Sequence, residues 1–203
     1  MPKICMYFQV HQPYRLRNFR IFDIGTKDSY FETSSDTDLN NKRVFNKVAE
    51  KCYLPANKMF LKLLKKYPEF KISYSLSGVF MEQAEEFMPE VLESFQELAA
   101  TGQVEILSET YYHSLSFLHS KSEFKSQIEL HKKKIKEVFD VTPKIFRNTE
   151  LIYNDEIGKI VEELGYKGIL AEGADKILHD RSPNFLYKAH GTKDLKLLLK
   201  NYK

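Results

Sequence analysis

Short apolar runs rich in β-branched and aromatic residues alternate along the chain with longer segments whose apolar residues recur every three to four positions. The first pattern is typical of strands and the second of amphipathic helices. We predict strands over residues 4–10, 72–80, 103–108, 144–148 and 167–171, and two more over 185–189 and 195–201 around the turn at Gly191 and Thr192. The helices between them are predicted over residues 44–66, 81–100, 122–139 and 154–164.

Four consecutive strand–helix repeats predict an α/β fold with a parallel sheet and right-handed crossovers. Two architectures have this pattern, an incomplete TIM-like barrel and a doubly wound open sheet. A nucleotide-binding open sheet is expected to carry a glycine-rich phosphate loop, and no predicted strand is followed by one. We therefore favour the incomplete TIM-like barrel, formed by one domain over residues 1–203.

One long segment, residues 18–43, has no helical periodicity and is polar with interspersed aromatic residues. A connection of this length inside a compact domain is usually functional or disordered. Its aromatic residues follow the first strand, so they are expected either to form a wall of a binding site or to pack against one another in a surface loop. They are Phe19, Phe22, Tyr30 and Phe31.

The charge is nearly balanced, with 31 basic and 28 acidic residues, and the basic residues are spread along the chain. The one short basic cluster, at residues 132–134, is typical of a solvated helix face. We therefore expect neither nucleic acid nor a membrane surface as a partner. No apolar run approaches the roughly 20 residues that span a bilayer, and the N-terminus lacks the features of a signal peptide. A cytoplasmic location is the default expectation.

The two cysteines, Cys5 and Cys52, have neither the number nor the spacing of a disulfide framework or a zinc site. Cys5 lies inside an apolar strand-like run, so we expect it to be packed and reduced. The cysteine content gives no reason to expect a bound metal.

Polar side chains follow three of the predicted strands at the point where each strand ends. In a parallel barrel these ends converge on one mouth, where catalytic residues collect. Each group alone is more often a structural histidine or a solvated loop glutamate, but three at one mouth favour a functional site. They are His11 and Gln12 after the first strand, Glu109 and His113 after the third, and Asn148 and Glu150 at the end of the fourth.

Glu150 is the strongest candidate among these residues. Side chains alternate along a strand, so Asn148 and Glu150 are expected on one face and Arg147 on the other, unless the strand has already ended. Hydrogen-bond donors near a carboxylate keep it ionised, as a nucleophile requires. The alternative role of Glu150, capping the next helix, is better filled by Asn154.

Glu105 lies inside the third strand between Val104 and Ile106, and alternation turns it away from both. If those two apolar side chains pack against the helices, Glu105 faces the barrel interior near the site, where it must be paired or hydrogen-bonded. If they face inward, Glu105 is a paired peripheral acid.

At these residues the sequence resembles glycoside hydrolase family 57, a family of α-amylases and 4-α-glucanotransferases. Three motifs in order carry the resemblance: HQP at residues 11–13, GQVEI at 102–106 and RNTELIY at 147–153. HQP and GQVEI are each common, but the ordered set at strand ends is specific. The resemblance implies an incomplete (β/α)7 barrel, of which these residues form the N-terminal portion.

The resemblance also implies a retaining glycoside hydrolase acting on α-1,4-glucans, by hydrolysis or by glycosyl transfer. Glu150 would be the nucleophile of a double displacement between two carboxyl groups roughly 5–5.5 Å apart, with no metal or organic cofactor. His11 would bind the sugar next to the scissile bond, in a subsite that Glu105 helps to shape. The implied substrate-binding residues are His11, Gln12, Glu105, Glu109, His113 and Asn148.

The sequence departs from the family pattern in two places. The third motif often begins with Trp, and this chain has none, so Phe146 or Arg147 takes that position. The region carrying the general acid Asp would follow residue 203, and Asp175, after the fifth strand, lies in a different setting. We therefore expect the catalytic barrel to be truncated at its C-terminal side and to have little activity alone.

Two other functions remain open. A non-catalytic glucan-binding fragment would keep the aromatic residues that stack on sugars without turning substrate over. A metal-dependent polysaccharide deacetylase has a similar incomplete barrel, but it needs an Asp pair near the first strand and two His residues one helical turn apart. His113 and His119 are six residues apart, which does not place them on one helical face.

Overall fold

The structure is a computed structural model that describes residues 4–26, 29–34 and 38–201. These residues form two compact units. The first unit contains the residues up to Gln9, Ile72–Gly78 and the chain from Glu105 onward, and the second contains Val10–Lys71 and Val79–Val104. Each unit buries its own set of apolar side chains.

Strands and helices alternate along the chain, as the hydrophobic pattern predicts. The strands are β1 (Tyr7–Val10), β2 (Ile72–Leu76), β3 (Val104–Leu107), β4 (Ile145–Arg147), β5 (Gly168–Glu172), β6 (Tyr187–Lys188) and β7 (Lys196–Lys200). The helices are α1 (Asn41–Val48), α2 (Leu54–Lys66), α3 (Gly78–Phe87), α4 (Pro89–Ala100), α5 (Lys121–Phe139), α6 (Asp155–Glu163) and α7 (Asp175–Leu178). Within the described ranges, no helix combines the length and apolarity that a membrane crossing requires.

The strands follow the same order in the sheets as in the chain from β1 to β5. The strands β1, β2 and β3 pair in that order, and a second set has the order β4-β5-β7-β6. Ser108, directly after β3, forms a parallel bridge to Phe146 of β4. The pairs β4–β5 and β5–β7 are parallel, whereas β6 is antiparallel to β7. A doubly wound sheet reverses its strand order at a switch point. No such reversal occurs between β1 and β5, so the predicted α/β fold is confirmed with the strand order of a barrel.

The core of the first unit fixes strand β4 between two helices. Phe146 of β4 is fully buried, and its ring centroid lies 5.9 Å from that of Phe124 on α5 and 5.6 Å from that of Tyr166. Ile157 of α6 and Ile169 of β5 belong to the same buried cluster. Burial of each such side chain contributes about 1.5–3 kcal/mol, so this cluster holds the strand that ends at Arg147.

The second unit has an aromatic core contributed by its helices. The rings of Phe80 on α3 and Phe95 on α4 meet edge to face with centroids 5.7 Å apart, and Tyr53 contacts Phe80 in the same geometry at 5.3 Å. Phe45 of α1 packs against Phe80 at 5.8 Å. Edge-to-face contacts between aromatic rings are favourable because of their quadrupoles.

The two predicted helices of the second unit differ from the observed ones. The helix predicted over 81–100 is two helices, because Met88 adopts an extended conformation (φ −160°) and Pro89 begins α4. The helix predicted over 44–66 starts earlier, at Asn41, because the side chain of Asn40 accepts a hydrogen bond from the N–H of Arg43. A π-helical segment, Ala49–Tyr53, joins α1 to α2.

Cys5 is exposed, so the expectation that it is packed is wrong. The cause is that β1 begins at Tyr7, three residues later than predicted, which leaves Cys5 outside the sheet. Cys52 is exposed as well, and both cysteines are free thiols.

The predicted loop over residues 18–43 has local order in the second unit. Leu16 and Phe31 form an antiparallel bridge, and the N–H of Arg17 donates to the carbonyl of Tyr30 (3.0 Å). The rings of Phe19 and Tyr30 stack with centroids 5.0 Å apart. Residues 27, 28 and 35–37 of this segment lie outside the described residues.

Candidate active site

Three of the predicted residues lie together in the first unit, beyond the ends of β3 and β4. Oε2 of Glu109 is 2.9 Å from Nδ1 of His113, and Nε2 of His113 is 3.7 Å from Oε1 of Glu150. The side chain of Glu109 is fully buried, that of His113 is 10% exposed and that of Glu150 is 71% exposed. An imidazole therefore stands between a buried carboxylate and one that is open to solvent.

Two further side chains connect to this group. Arg147, the last residue of β4, donates from Nη2 to Oε1 of Gln9 (2.7 Å), and its Nη1 lies 3.6 Å from Oε2 of Glu109. Nε2 of Gln9 lies 2.9 Å from Nε2 of His113. Arg147, Gln9, His113 and Glu109 thus form a closed ring of polar contacts beside Glu150.

Glu150 sits on a sharply bent 3-10 turn, Thr149–Leu151, that follows β4 directly. Glu150 and Leu151 both have positive φ values (54° and 56°), which non-glycine residues rarely adopt. The turn is braced by the side chain of Asn148, whose Nδ2 donates to the carbonyl of Ile152 (2.9 Å). Strained backbone of this kind concentrates at functional sites, and here it directs a carboxylate toward solvent.

The expected alternation of side chains does not hold at the end of β4, because the strand ends at Arg147. Arg147 points to Glu109 and Gln9 instead of away from the site. Asn148 is buried and braces the turn rather than sharing the exposed face of Glu150. As predicted, Asn154 rather than Glu150 caps α6: its Oδ1 accepts from the N–H of Ile157 (2.8 Å).

The loop that carries His113 is held from both sides. His113 has a positive φ of 53°. Its neighbour Tyr111 accepts a hydrogen bond from the N–H of Gly78 (2.8 Å), and the ring of Tyr111 lies so close that a Cβ at residue 78 would come within 2.5 Å of it. Thr110 and Thr149 are joined by their hydroxyls at 3.1 Å, which links this loop to the turn of Glu150.

A buried histidine of α5, His131, supports the backbone at Glu109. Its Nε2 lies 2.7 Å from the carbonyl of Leu76, and its Nδ1 accepts from the N–H of Glu109 (3.3 Å). Burial lowers the pKa of His131, and the nearby Glu109 opposes that shift. Tyr166 donates to Oγ of Ser108 (2.7 Å), and burial raises the pKa of this tyrosine to about 12. These groups are neutral hydrogen-bonding supports behind the site.

Two predicted residues, His11 and Gln12, belong to the second unit. Gln12 is buried there, and its Nε2 donates to the hydroxyl of Tyr53 (3.0 Å) while its Oε1 accepts from Arg15 (3.3 Å). Its carbonyl accepts from the side chain of Gln83 (2.6 Å). The side chain of Gln12 is therefore already engaged inside this unit.

Glu105 lies on β3, partly exposed and partly shielded from solvent, and its charged neighbour is Lys144, just before β4. Burial of its carboxyl raises the pKa of Glu105, and Lys144 partly offsets the shift. Among the described residues Glu105 has none of the contacts that join Glu109, His113 and Glu150. The structure therefore does not bring Glu105 into that group.

Gln9 and His131 were not identified from the sequence as site residues. Gln9 is a polar residue in an apolar strand, and His131 lies on the apolar stripe of α5 with Ile128 and Ile135. For His131 the available signal is its polar side chain on a buried helix stripe, because a buried polar group must find a partner. Gln9 is exposed and gives no such signal. Within the described ranges, no group of three or more His, Cys, Asp or Glu side chains is arranged to hold a metal ion.

The sequence and the fold of this chain were compared with those of known proteins. A protein of Methanocaldococcus jannaschii, provisionally named an alpha-amylase, is 50% identical over 98% of this chain and 42% of its own length. The 4-alpha-glucanotransferase of Thermococcus litoralis matches in structure with a TM-score of 0.71 and 22% identity, over 98% of this chain and 27% of that one. A branching enzyme of Thermococcus kodakaraensis also has a TM-score of 0.71, with 12% identity over 97% of this chain and 47% of that one.

The chain thus spans less than half the length of each of these proteins. The two structural likenesses are at low identity and concern the fold. The sequence model of the family described as Glycosyl hydrolase family 57 matches residues 5–203, which is nearly the whole chain. The chain therefore belongs to glycosyl hydrolase family 57.

Proposed function

We propose that this chain carries the nucleophile of a retaining glycoside hydrolase that acts on α-1,4-glucans, and that Glu150 is that nucleophile. The observation that carries the proposal is the placement of Glu150, whose exposed carboxylate is presented by a strained turn at the end of a parallel strand. Family membership and the motif around Glu150 support the same assignment.

Attack on a sugar requires an ionised, accessible carboxylate with a fixed direction. The turn Thr149–Leu151 fixes the backbone of Glu150, and the contacts of Asn148 and Thr149 hold the turn. At 3.7 Å, Nε2 of His113 is too far from Oε1 of Glu150 for a hydrogen bond, so the imidazole lies beside the carboxylate without binding it. Covalent catalysis would form a bond between Oε of Glu150 and the anomeric carbon as the leaving group departs.

The other residues of the motifs are proposed to have two kinds of role. His113 would line the sugar site beside Glu150, and the buried Glu109 would act through His113. Gln12 and Asn148 are engaged with neighbours, so we assign them to holding the backbone near the substrate. His11 and Glu105 are proposed as substrate residues on the motifs alone.

The segment over residues 18–43 is proposed to bind glucan through its exposed aromatic rings. Tyr30 is 58% exposed although one face of its ring stacks on Phe19. Phe22 is 87% exposed. Open aromatic faces suit sugar rings because both present flat apolar surfaces.

The test of the nucleophile is intact-mass spectrometry of the chain after incubation with α-glucosyl fluoride. Fluoride leaves as an anion with little acid assistance, so the test does not depend on the general acid. Attack by Glu150 should break the C1–F bond and add one glucosyl group as an ester, which peptide mapping should place on Glu150. Glu150→Gln should abolish the adduct, whereas Glu163→Gln, a matched change on the exposed face of α6, should not.

An adduct on another residue, or an unchanged adduct in Glu150→Gln, would refute the assignment. Absence of an adduct together with measurable binding of maltooligosaccharides would favour the non-catalytic glucan-binding function. Stoichiometric zinc in the purified chain would favour the deacetylase instead.

A further inference from the structure

A short antiparallel ladder in the second unit pairs residues 15–17 with residues 30–32. Its central bridge joins Leu16 to Phe31. Two backbone hydrogen bonds flank the bridge, from the N–H of Arg17 to the carbonyl of Tyr30 (3.0 Å) and from the N–H of Glu32 to the carbonyl of Arg15 (2.8 Å). Opposed residues next to such a bridge normally exchange two hydrogen bonds. A second bond is therefore expected between Arg15 and Glu32, from the N–H of Arg15 to the carbonyl of Glu32.

The side chain of Asn41, the first residue of α1, occupies the place of that second bond. The N–H of Arg15 donates to Oδ1 of Asn41 (2.7 Å), and Nδ2 of Asn41 donates to the carbonyl of Glu32 (3.1 Å). Nδ2 also donates to the carbonyl of Arg15 (3.1 Å). The amide is thus inserted between the two sides of the ladder and relays the bond that they would otherwise make directly.

The partners of Asn41 require a neutral amide in one orientation. A backbone N–H only donates and a carbonyl only accepts, so the oxygen of Asn41 faces the N–H of Arg15 and its nitrogen faces the two carbonyls. The residue is 2% exposed, and its own backbone N–H donates to the carbonyl of Glu32 (3.1 Å). Loss of the amide would leave buried backbone groups of the ladder without partners, which is unfavourable.

The ladder carries the aromatic rings that are proposed to bind glucan. Tyr30 belongs to it, and the ring of Tyr30 stacks on that of Phe19 with centroids 5.0 Å apart. Cζ of Arg17 lies 4.9 Å from the centroid of the same Phe19 ring. Since Arg17 and Tyr30 are joined by a backbone bond, both neighbours of Phe19 are fixed by the ladder. Asn41 connects the ladder to α1, whose Phe45 is fully buried in the core of this unit.

We propose that Asn41 is a positioning residue for glucan: its inserted amide fixes the ladder, and the ladder holds the open face of Tyr30 in place for a sugar ring. The inference rests on the proposed function of the segment over residues 18–43. A ring that is already held in its binding position loses less conformational freedom when the ligand arrives, and affinity rises without any new contact. Asn41 itself does not touch the sugar.

The first test is hydrogen exchange of the side-chain NH2 group of Asn41 in the wild-type chain, followed by NMR. Both protons face carbonyls in a buried setting. They should therefore exchange much more slowly than those of Asn18, an asparagine on the surface of the same unit. Equal exchange rates for Asn41 and Asn18 would overturn the proposal without any variant having to fold.

The second test is Asn41→Asp, which keeps the shape of the side chain but replaces both donors by an acceptor facing two carbonyls. The backbone N–H groups of Arg15, Arg17 and Glu32 should then exchange faster. Asn41→Ala removes the amide without adding a charge and should have the same effect, so it serves if Asn41→Asp does not fold. Unchanged exchange at these three residues in a folded variant would contradict the role of Asn41.

A matched control is available at Asn57 on α2. This asparagine is 3% exposed, belongs to the same unit and donates from Nδ2 to Oγ of Ser94 (2.8 Å). Asn57→Asp makes the same chemical change at a similarly buried position outside the ladder. It should leave the exchange of the ladder as in wild type, and faster exchange there would show that any buried aspartate in this unit loosens the ladder.

The affinity for maltooligosaccharides, measured by titration calorimetry, tests the consequence for glucan. Asn41→Asp should weaken binding about threefold to tenfold, the size of one aromatic contact, whereas Asn57→Asp should not. If Asn41 acts through Tyr30, adding Asn41→Asp to Tyr30→Ala should weaken binding no further, because the positioned ring is already absent. Losses that add in the double variant would show a general effect on the unit and refute the positioning role.

Failure of this inference and failure of the proposed glucan site give different results. Faster exchange in Asn41→Asp with unchanged affinity, while Tyr30→Ala weakens binding, would refute positioning by Asn41 and leave the glucan site standing. Wild-type affinity in Tyr30→Ala would refute the glucan site and the positioning role with it. The exchange rates would still decide whether Asn41 orders the ladder.

Discussion

Glu109 and Arg147 form an ion pair that is almost completely withdrawn from water. Nη1 of Arg147 lies 3.6 Å from Oε2 of Glu109, and the side chains are 4% and 0% exposed, respectively. Within the described ranges, Oε1 of Glu109 and both Nε and Nη1 of Arg147 are buried without a hydrogen-bond partner. Neighbouring groups therefore satisfy only part of the hydrogen-bonding capacity of the pair. Each buried charge is stabilised mainly by the opposite charge of its partner.

Loss of one partner of this pair should destabilise the chain strongly. Arg147→Met leaves the carboxylate of Glu109 buried without its cation, which costs about 3–5 kcal/mol. Urea unfolding followed by circular dichroism measures the free energy. Arg147→Met combined with Glu109→Gln should recover part of the loss, and Asp140→Asn, which breaks the exposed pair with Lys136, should have a far smaller effect. If Arg147→Met and Asp140→Asn lowered the free energy of unfolding equally, burial would not determine the cost of losing an ion pair.

His131 should make the stability of the chain depend on pH. Its pKa in the folded chain is lowered by burial from an ordinary value of 6.5, so the unfolded chain takes up the proton first. The contribution of neutral His131 to the free energy of unfolding is therefore fully present above about pH 6.5. It falls as the pH drops toward the pKa of His131 in the folded chain, by at most about 1.4 kcal/mol per pH unit. His131→Gln removes the titrating group, so its free energy of unfolding should fall less over the same pH range. If the free energies of unfolding of wild type and His131→Gln change in parallel with pH, His131 is not the group responsible.

The fold was largely predictable because strands and helices have local periodic signatures. One exception is the start of α3, where the hydrophobic pattern predicts a strand up to residue 80. Val79, Phe80 and Met81 are all buried, and an apolar run buried on every side has no period that separates a helix from a strand. The preceding strand therefore ends at Leu76, four residues before the predicted end.

The candidate site was predictable in part. Glu109, His113 and Glu150 were grouped correctly because the ends of parallel strands lie on one edge. The place of Gln9 beside this group depends on a contact with Arg147, 138 residues away, and on β4 ending at Arg147. A contact between residues so far apart in the chain and the point at which a strand ends are both decided by tertiary structure, so neither feature follows from the local pattern.

Gly78 should tolerate no side chain, because it lies beneath the loop that carries His113. A Cβ added at residue 78 would come within 2.5 Å of the ring of Tyr111. Gly78→Ala should therefore cost about 1–3 kcal/mol, the usual range for overpacking, in spite of the better helix propensity of Ala. Tyr111→Leu in the Gly78→Ala background should restore part of this by removing the ring. Thermal unfolding of the two variants measures both effects, and a stabilised Gly78→Ala chain would be incompatible with the close contact.

Tyr30 provides a test of the segment over residues 18–43 that is independent of the chemistry at Glu150. Its ring stacks on Phe19 at 5.0 Å and is otherwise largely exposed, so one face remains for a sugar. Tyr30→Ala should weaken the binding of maltooligosaccharides about threefold to tenfold, the size of one aromatic contact, with an unchanged far-UV circular dichroism spectrum. Titration calorimetry measures the affinity, and Tyr67→Ala, at another half-exposed tyrosine, is the control. If Tyr30→Ala binds as wild type does, the aromatic rings of this segment only pack against one another, which is the alternative that the sequence left open.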